Sequence, residues 1–368
     1  MINEQRLLDE FLELIQIDSE THHEGNIARV LKEKLEALGL EAEIDDAGIP
    51  CASDGGNVFA RFPGTLTSEP IMLSAHMDTV SPGRGVKPQI RDGAIYTDGT
   101  TILGGDDKGG IAAILEAVRT VKENNLPHRT VEILFSISEE IGLAGAKAFD
   151  SSKLTAKRAY IFDNGGATGS CTTRAAARTQ LSVEVIGRRA HAGSAPDKGI
   201  SAIQVAAKAI ANMNLLKVDE DTTCNIGSIK SEFENNVVPD LCVFSAEIRC
   251  FTQEGMEKQV EHLRKCLQDA CDEFGAEFKF NVMPAYASYS IAEDSGVFQE
   301  FVAAVESLGC EVKTKSGKGG TDANVHNARG MEALPVGIGM AKIHTTDEYI
   351  KIENLSGSAR LALTLMTR

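Results

Sequence analysis

Positive charge is scarce in this 368-residue chain: 37 Lys and Arg stand against 53 Asp and Glu, a formal net charge of −16. Nucleic acids and anionic membrane surfaces both require basic patches, so neither fits as a partner. No apolar run approaches the roughly 18 residues of a membrane-spanning helix. The opening MINEQRLLDEFLELIQID carries acids inside its apolar pattern and reads as an amphipathic helix, not a signal peptide. The eight cysteines fall singly, without a CxxC pair, which fits free thiols in a reducing cytoplasm. Repeats and low-complexity tracts are absent. No GxxxxGK[ST] occurs, and no GxGxxG follows a strand, which argues against a nucleotide-binding oxidoreductase.

What is present is the composition of a soluble globular protein, 42% hydrophobic and 24% charged, at a length that suits about two domains. Residues 3–17 and 24–39 read as helices. Val58–Phe62, Ile71–Ala75, Val131–Ser138 and Ala159–Phe162 read as strands, and Ile111–Lys122 as a helix opening just after Asp106-Asp107-Lys108-Gly109-Gly110. The stretch between Asp78 and Gly105 is rich in Gly and Pro and reads as loop. Such alternation predicts an α/β fold with a mostly parallel sheet covered by helices.

Near residue 178 the pattern changes. Leu181–Ile186, Cys224–Ile229, Cys242–Cys250 and Glu277–Met283 read as strands, with helices over Ile200–Met213 and Met256–Phe274. That order, βαββαβ, is a ferredoxin-like unit. The α/β pattern resumes after about residue 292, with Phe298–Leu308 and Ile352–Leu365 helical and Leu334–Gly337 a strand. The predicted organisation is one catalytic domain, residues 1–178 and 292–368, interrupted by an inserted α+β domain over residues 179–291.

Six residues stand where strands end or Gly-rich turns begin: His76, Asp106, Glu139, Glu140, Asp163 and His344. Alone, each has an ordinary explanation: His76-Met77-Asp78 as a turn, Asp106 as a helix cap, Glu139-Glu140 as a solvated pair, His344 as a loop histidine. Together they have a sharper one. Strand ends of a parallel sheet share one rim, where α/β proteins gather their active sites. The six would there supply five ligands for two metal ions and one spare carboxylate as a base. Mixed His and carboxylate ligands suit Zn²⁺, with Co²⁺ or Mn²⁺ as alternatives. Asp78 is placed to orient the His76 imidazole.

The segments Ser74–Val80 (SAHMDTV), Gly105–Gly110 (GDDKGG), Ser138–Gly142 (SEEIG) and Phe162–Gly166 (FDNGG) resemble the zinc exopeptidase superfamily. The resemblance runs nearly end to end. Thr100–Asp107 (TTILGGDD), Gly319–Asp322 (GGTD) and His344–Glu348 (HTTDE) are most similar to its peptidase T branch. It implies a catalytic domain carrying two Zn²⁺ per chain, with Asp106 bridging, His76 and Asp163 completing one site, and Glu140 and His344 the other. Glu139 is implied as general base and Asp78 as the partner of His76. In the inserted domain, implied to be a lid and a homodimerisation element, His191 matches a histidine that polarises the scissile carbonyl, commonly across the dimer. Arg249 matches an arginine that holds a substrate carboxylate, and Asn236 a lid residue near the substrate. The implied reaction is hydrolysis of the N-terminal bond of a short peptide. A deacylase of N-acyl amino acids, or a dipeptidase or carboxypeptidase, would use the same chemistry. A non-catalytic zinc protein would have no need of Glu139. Ala192, Asn164 and Cys250 depart from the family pattern, and the chain is shorter than typical peptidase T; no departure touches an implied ligand.

Overall fold

The computed structural model describes residues Met1–Arg368. The chain folds as two compact units, Met1–Arg174 with Ser290–Arg368, and Ala175–Tyr289. No helix is long and apolar enough to cross a membrane.

The first unit is built on a mixed sheet. Its central strands are Val58–Phe62 (β1), Ile71–His76 (β2), Val131–Ser136 (β3), Arg158–Asn164 (β4) and Glu332–Gly337 (β5), in the spatial order β1-β3-β2-β4-β5. The pairs β3–β2, β2–β4 and β4–β5 are parallel, while β1 joins antiparallel. Every residue of β2 and β3 is buried, as expected of strands covered on both faces. The register aligns their C-terminal ends: His76 lies opposite Ser136, and Gly337 opposite Asn164. This is the α/β architecture that the alternating pattern predicts, but the sheet is mixed: its central pairs are parallel, and antiparallel pairs join on both sides.

Helix α1, Gly105–Glu123, packs over the centre of this sheet. Its first turn is irregular, because Asp106 and Asp107 carry non-helical backbone angles inside it. The helix can approach β4 closely only because Gly110 has no side chain. A Cβ there would stand 2.3 Å from the Phe162 carbonyl oxygen and 2.8 Å from Asp107 Oδ1.

Two local readings need correction. The strand predicted over Val131–Ser138 stops at Ser136, and Ser138 turns the chain with φ 53°. Buried Glu24 makes that turn tolerable: Glu24 Oε1 accepts from Ser138 N and Ser138 Oγ, both at 3.0 Å. The stretch read as loop between Asp78 and Gly105 contains two short strands, Gln89–Arg91 and Ala94–Tyr96. With Met340–Ala341 and Tyr349–Lys351 they form a four-stranded sheet. Their pairing spans some 250 residues of sequence, so no local pattern announces it. Stacking of Tyr96 on Tyr349 (centroids 5.2 Å apart) fastens this sheet.

The unit Ala175–Tyr289 has a wholly antiparallel sheet in the order Leu216–Lys217, Thr222–Lys230, Leu241–Cys250, Ala177–Ile186, Glu277–Tyr286. Helices Ala202–Asn212 and Gln253–Phe274 supply the connections, giving the ferredoxin-like βαββαβ order. Alternate residues Leu181, Val183 and Val185 share one buried core with Val205, Ala209, Leu263 and Leu267 of the helices.

The α1–β4 contact makes a testable demand. Gly110→Ala must push the helix off the strand. It is expected to destabilise the metal-free protein by about 1–3 kcal/mol, the usual cost of overpacking, seen as a lower midpoint in thermal unfolding. An unchanged midpoint would show that the contact is not tight.

Candidate metal centre

The C-terminal rim of the parallel strands collects the predicted residues. His76 is the last residue of β2, Asp163 the penultimate residue of β4, and Glu139 and Glu140 follow β3 after the Ser138 turn. Asp106 enters from the first turn of α1. His344 rides the hairpin between Met340–Ala341 and Tyr349–Lys351, which pair antiparallel.

The side chains converge. His76 Nε2 lies 3.0 Å from Asp106 Oδ1 and 4.0 Å from Asp163 Oδ1. His344 Nε2 lies 3.3 Å from Asp106 Oδ2 and 3.0 Å from Glu140 Oε1. One carboxylate, Asp106, therefore presents its two oxygens to two different imidazoles. The donor atoms of His76, Asp106 and Glu140 lie within 4.8 Å of one another, as do those of His76, Asp107 and Asp163. Asp107 is a group the sequence reading passed over, although the doubled Asp of GDDKGG marks it. Its Oδ2 accepts the His76 backbone N–H at 3.1 Å, while its buried Oδ1 has no protein partner.

Asp78 orients His76 differently from the sequence expectation. His76 Nδ1 is 2.9 Å from the Asp78 backbone carbonyl and 3.4 Å from its carboxylate. The shorter contact sets the ring. The carboxylate instead accepts from Glu139 N at 2.9 Å, Glu140 N at 3.3 Å and Thr21 Oγ1 at 2.8 Å. It thereby fixes the backbone of both glutamates. The Glu139 side chain itself makes no protein hydrogen bond and is only 8% exposed.

The electrostatics show an excess of buried negative charge. Burial raises the pKa values of Asp163, Glu139 and Asp107 well above the carboxylate range, and neighbouring acids add to it. Burial also pushes Asp322, beneath the rim on Ser136 Oγ at 2.5 Å, up to about 6. Asp106 runs the other way. Burial alone would raise it, but hydrogen bonds from His344 and His76 outweigh that and lower it. Burial likewise opposes the charge on His76, yet Asp106 and Asp78 hold its pKa well above 6.5. Hydrogen bonds to Asp106 and Glu140 raise His344 to about 10. Two imidazoles and a crowd of buried carboxylates, one with an orphaned oxygen, form a donor set that suits divalent cations of borderline hardness.

Residues 72–368 match the sequence pattern of peptidase family M20/M25/M40. The chain belongs to that family. Within it, the chain is 39% identical to YqjE of Bacillus subtilis (strain 168) over 366 residues, spanning all of this chain and 99% of that one. Two crystal structures are similar throughout. Aminopeptidase PepT from Bacillus cereus ATCC 10987 is 40% identical with a TM-score of 0.93, covering 100% of this chain and 98% of that one. A tripeptidase from Staphylococcus aureus subsp. aureus Mu50 is 38% identical with a TM-score of 0.95 at the same coverage. This M20 chain is thus a peptidase of the PepT-like fold, and its length matches these two relatives.

The remaining predicted residues lie in the Ala175–Tyr289 unit. His191 is exposed, and its Nδ1 accepts from Gly193 N at 3.1 Å and Ser194 N at 3.2 Å. A ring nitrogen that accepts carries no proton, so the neutral ring is protonated on Nε2. Ala190 and His191 pair with Val238 and Val237, and Asn236 accepts the Ala192 N–H through its backbone carbonyl at 2.9 Å. Arg249 Nε donates to Glu247 Oε1 at 2.6 Å, and Arg178 Nε to Glu247 Oε2 at 2.6 Å.

His344 provides a measurement. In the metal-free protein its pKa should be near 10 by NMR titration. A raised folded pKa means that the stabilising charge is present below about 6.5, the unfolded value. It is lost as pH rises through the folded value. Glu140→Gln removes one of the two carboxylates and should move the titration back toward 6.5. An unshifted His344 in the unsubstituted protein would contradict the geometry.

Proposed function

We propose that the protein is a metal-dependent aminopeptidase that removes the N-terminal residue of short peptides, tripeptides above all, using two zinc ions per chain. The observation that carries the dinuclear reading is the Asp106 carboxylate, whose oxygens face His76 and His344 separately. His76 and Asp163 would hold one ion, Glu140 and His344 the other, with Asp106 shared. The tripeptide reading rests on likeness to the aminopeptidase and the tripeptidase at 38–40% identity.

Zinc bound here would polarise the scissile carbonyl and bring the pKa of water from 15.7 toward about 7, a change worth about 12 kcal/mol at neutral pH. Glu139 would take the proton of the attacking water and return it to the leaving amine. Its carboxylate is free of protein donors while Asp78 pins its backbone, which supports that role. His191 offers an Nε2–H donor suited to a developing oxyanion, and removal of one such donor typically costs about 10²–10³ in rate. Arg249, oriented by Glu247, would hold a substrate carboxylate, with Asn236 beside the substrate.

The test is a panel of free and N-acetylated di- and tripeptides, assayed with zinc, cobalt and manganese. Free tripeptides should be the best substrates, with activity lost to a chelator and about two metal ions per chain by elemental analysis. Glu139→Gln should retain both ions and lose about 10²-fold or more in kcat. Glu140→Gln should lose metal, and Arg249→Lys should raise KM for peptides with a free carboxylate. Preference for N-acetyl amino acids would replace this reading with a deacylase.

We infer further that His191 acts across a homodimer formed by the inserted unit. It lies in the unit Ala175–Tyr289, whereas every proposed ligand lies in the other unit. Mixing inactive Glu139→Ala and His191→Ala chains should then restore about a quarter of wild-type activity, because each mixed dimer has one site with both lesions and one with neither. Subunit exchange without any recovery would place His191 in its own chain's reaction or outside it.

A further inference from the structure

We propose that Glu348 is a positioning residue for the metal centre, tying the loop that carries Asp106 to the hairpin that carries His344. Its carboxylate is almost fully buried, 1% exposed, and accepts three backbone N–H groups from the far loop. Oε2 takes Leu103 N at 2.7 Å and Gly104 N at 2.9 Å, and Oε1 takes Asp106 N at 3.0 Å. The other end of the tether is short. Glu348 lies four residues after His344, in the same hairpin, and its own N–H closes a turn onto the Thr345 carbonyl at 3.1 Å.

The glycines of Leu103-Gly104-Gly105-Asp106 make this grip possible. Gly104 takes a left-handed φ of 76°, and a Cβ on Gly105 would sit 3.1 Å from Glu348 Oε1. The close approach that Gly105 permits is therefore to a protein carboxylate. Three backbone N–H donors converge on this one buried carboxyl group, and together they fix the backbone at Asp106. With that backbone held, Asp106 can set one oxygen on His76 and the other on His344. Without it, Asp106 would follow the irregular first turn of α1 and His344 would follow a half-exposed hairpin, independently. Ligand distances in a metal site tolerate only about 0.2 Å, so independent drift weakens binding.

The inference rests on the reading that Asp106 is shared by two metal ions. The experiment measures zinc stoichiometry and zinc affinity, by chelator competition, for the full chain with and without Glu348→Ala and Glu348→Gln. Tripeptide kinetics are followed at saturating zinc. Glu348→Ala is expected to weaken zinc binding by about 10–100-fold, the usual effect of losing a partner that orients a ligand. Glu348→Gln should weaken it less, since one amide oxygen can still accept while the NH₂ meets a donor. KM should hardly move. A role in folding alone would lower the thermal midpoint of the metal-free protein and leave zinc affinity unchanged. Two zinc ions in the wild type, with unaltered affinity in both variants, overturns the clamp alone. A wild type that binds one ion overturns the shared-ligand reading and the clamp with it. Should neither variant fold, amide exchange in the metal-free wild type decides: Leu103, Gly104 and Asp106 must exchange slowly, and fast exchange there overturns the proposal.

Discussion

Asp106 sits at the meeting point of two imidazoles, 3.0 Å from one and 3.3 Å from the other, and the rest of the rim is arranged around that geometry. A carboxylate buried this deeply is costly unless its charge is answered. Here His76 and His344 answer it well enough to lower its pKa, even though Asp163, Asp107 and Glu139 around them are pushed upward. The cluster is thus short of positive charge as a whole while satisfied at its centre. Such a balance suits a protein whose family chemistry is carried by bound cations, and it explains why so many acids tolerate one small space.

Other buried carboxylates act through the backbone. Asp78 accepts the N–H groups of Glu139 and Glu140, Glu24 accepts the N–H and the hydroxyl of Ser138, and Glu348 accepts three N–H groups from the Asp106 loop. Each joins segments far apart in sequence and finds N–H donors that no regular element uses. Rim loops leave such donors exposed because the chain must turn sharply at the strand ends. An acceptor with two oxygens can serve several at once. Acid-to-backbone bonds therefore hold the rim loops that carry the clustered side chains.

Much of this was legible without coordinates. Continuous apolar runs marked β2, β3 and β4, because strands covered on both faces have no polar alternation. The residues at or just past their ends, His76, Glu139, Glu140 and Asp163, followed from the rule that parallel strands share a rim. The βαββαβ order between residues 177 and 286 was legible for the same reason: its strands and helices are long enough for their periods to show. The four-stranded sheet over Gln89–Arg91, Ala94–Tyr96, Met340–Ala341 and Tyr349–Lys351 was not, since segments of two or three residues carry no period.

Residue types and their order along the chain determined which elements form and which chemical groups reach the ends of strands. Hydrophobic periodicity and motif spacing are local, and they survive in a linear string. Tertiary structure alone decided that His76 is oriented by the carbonyl of Asp78 rather than its carboxylate. It alone brought Asp107 within the donor cluster and set Glu348 on amides some 240 residues away. Those facts depend on distances of a few tenths of an ångström between segments that meet only after the sheet has closed, and a sequence holds no record of such distances.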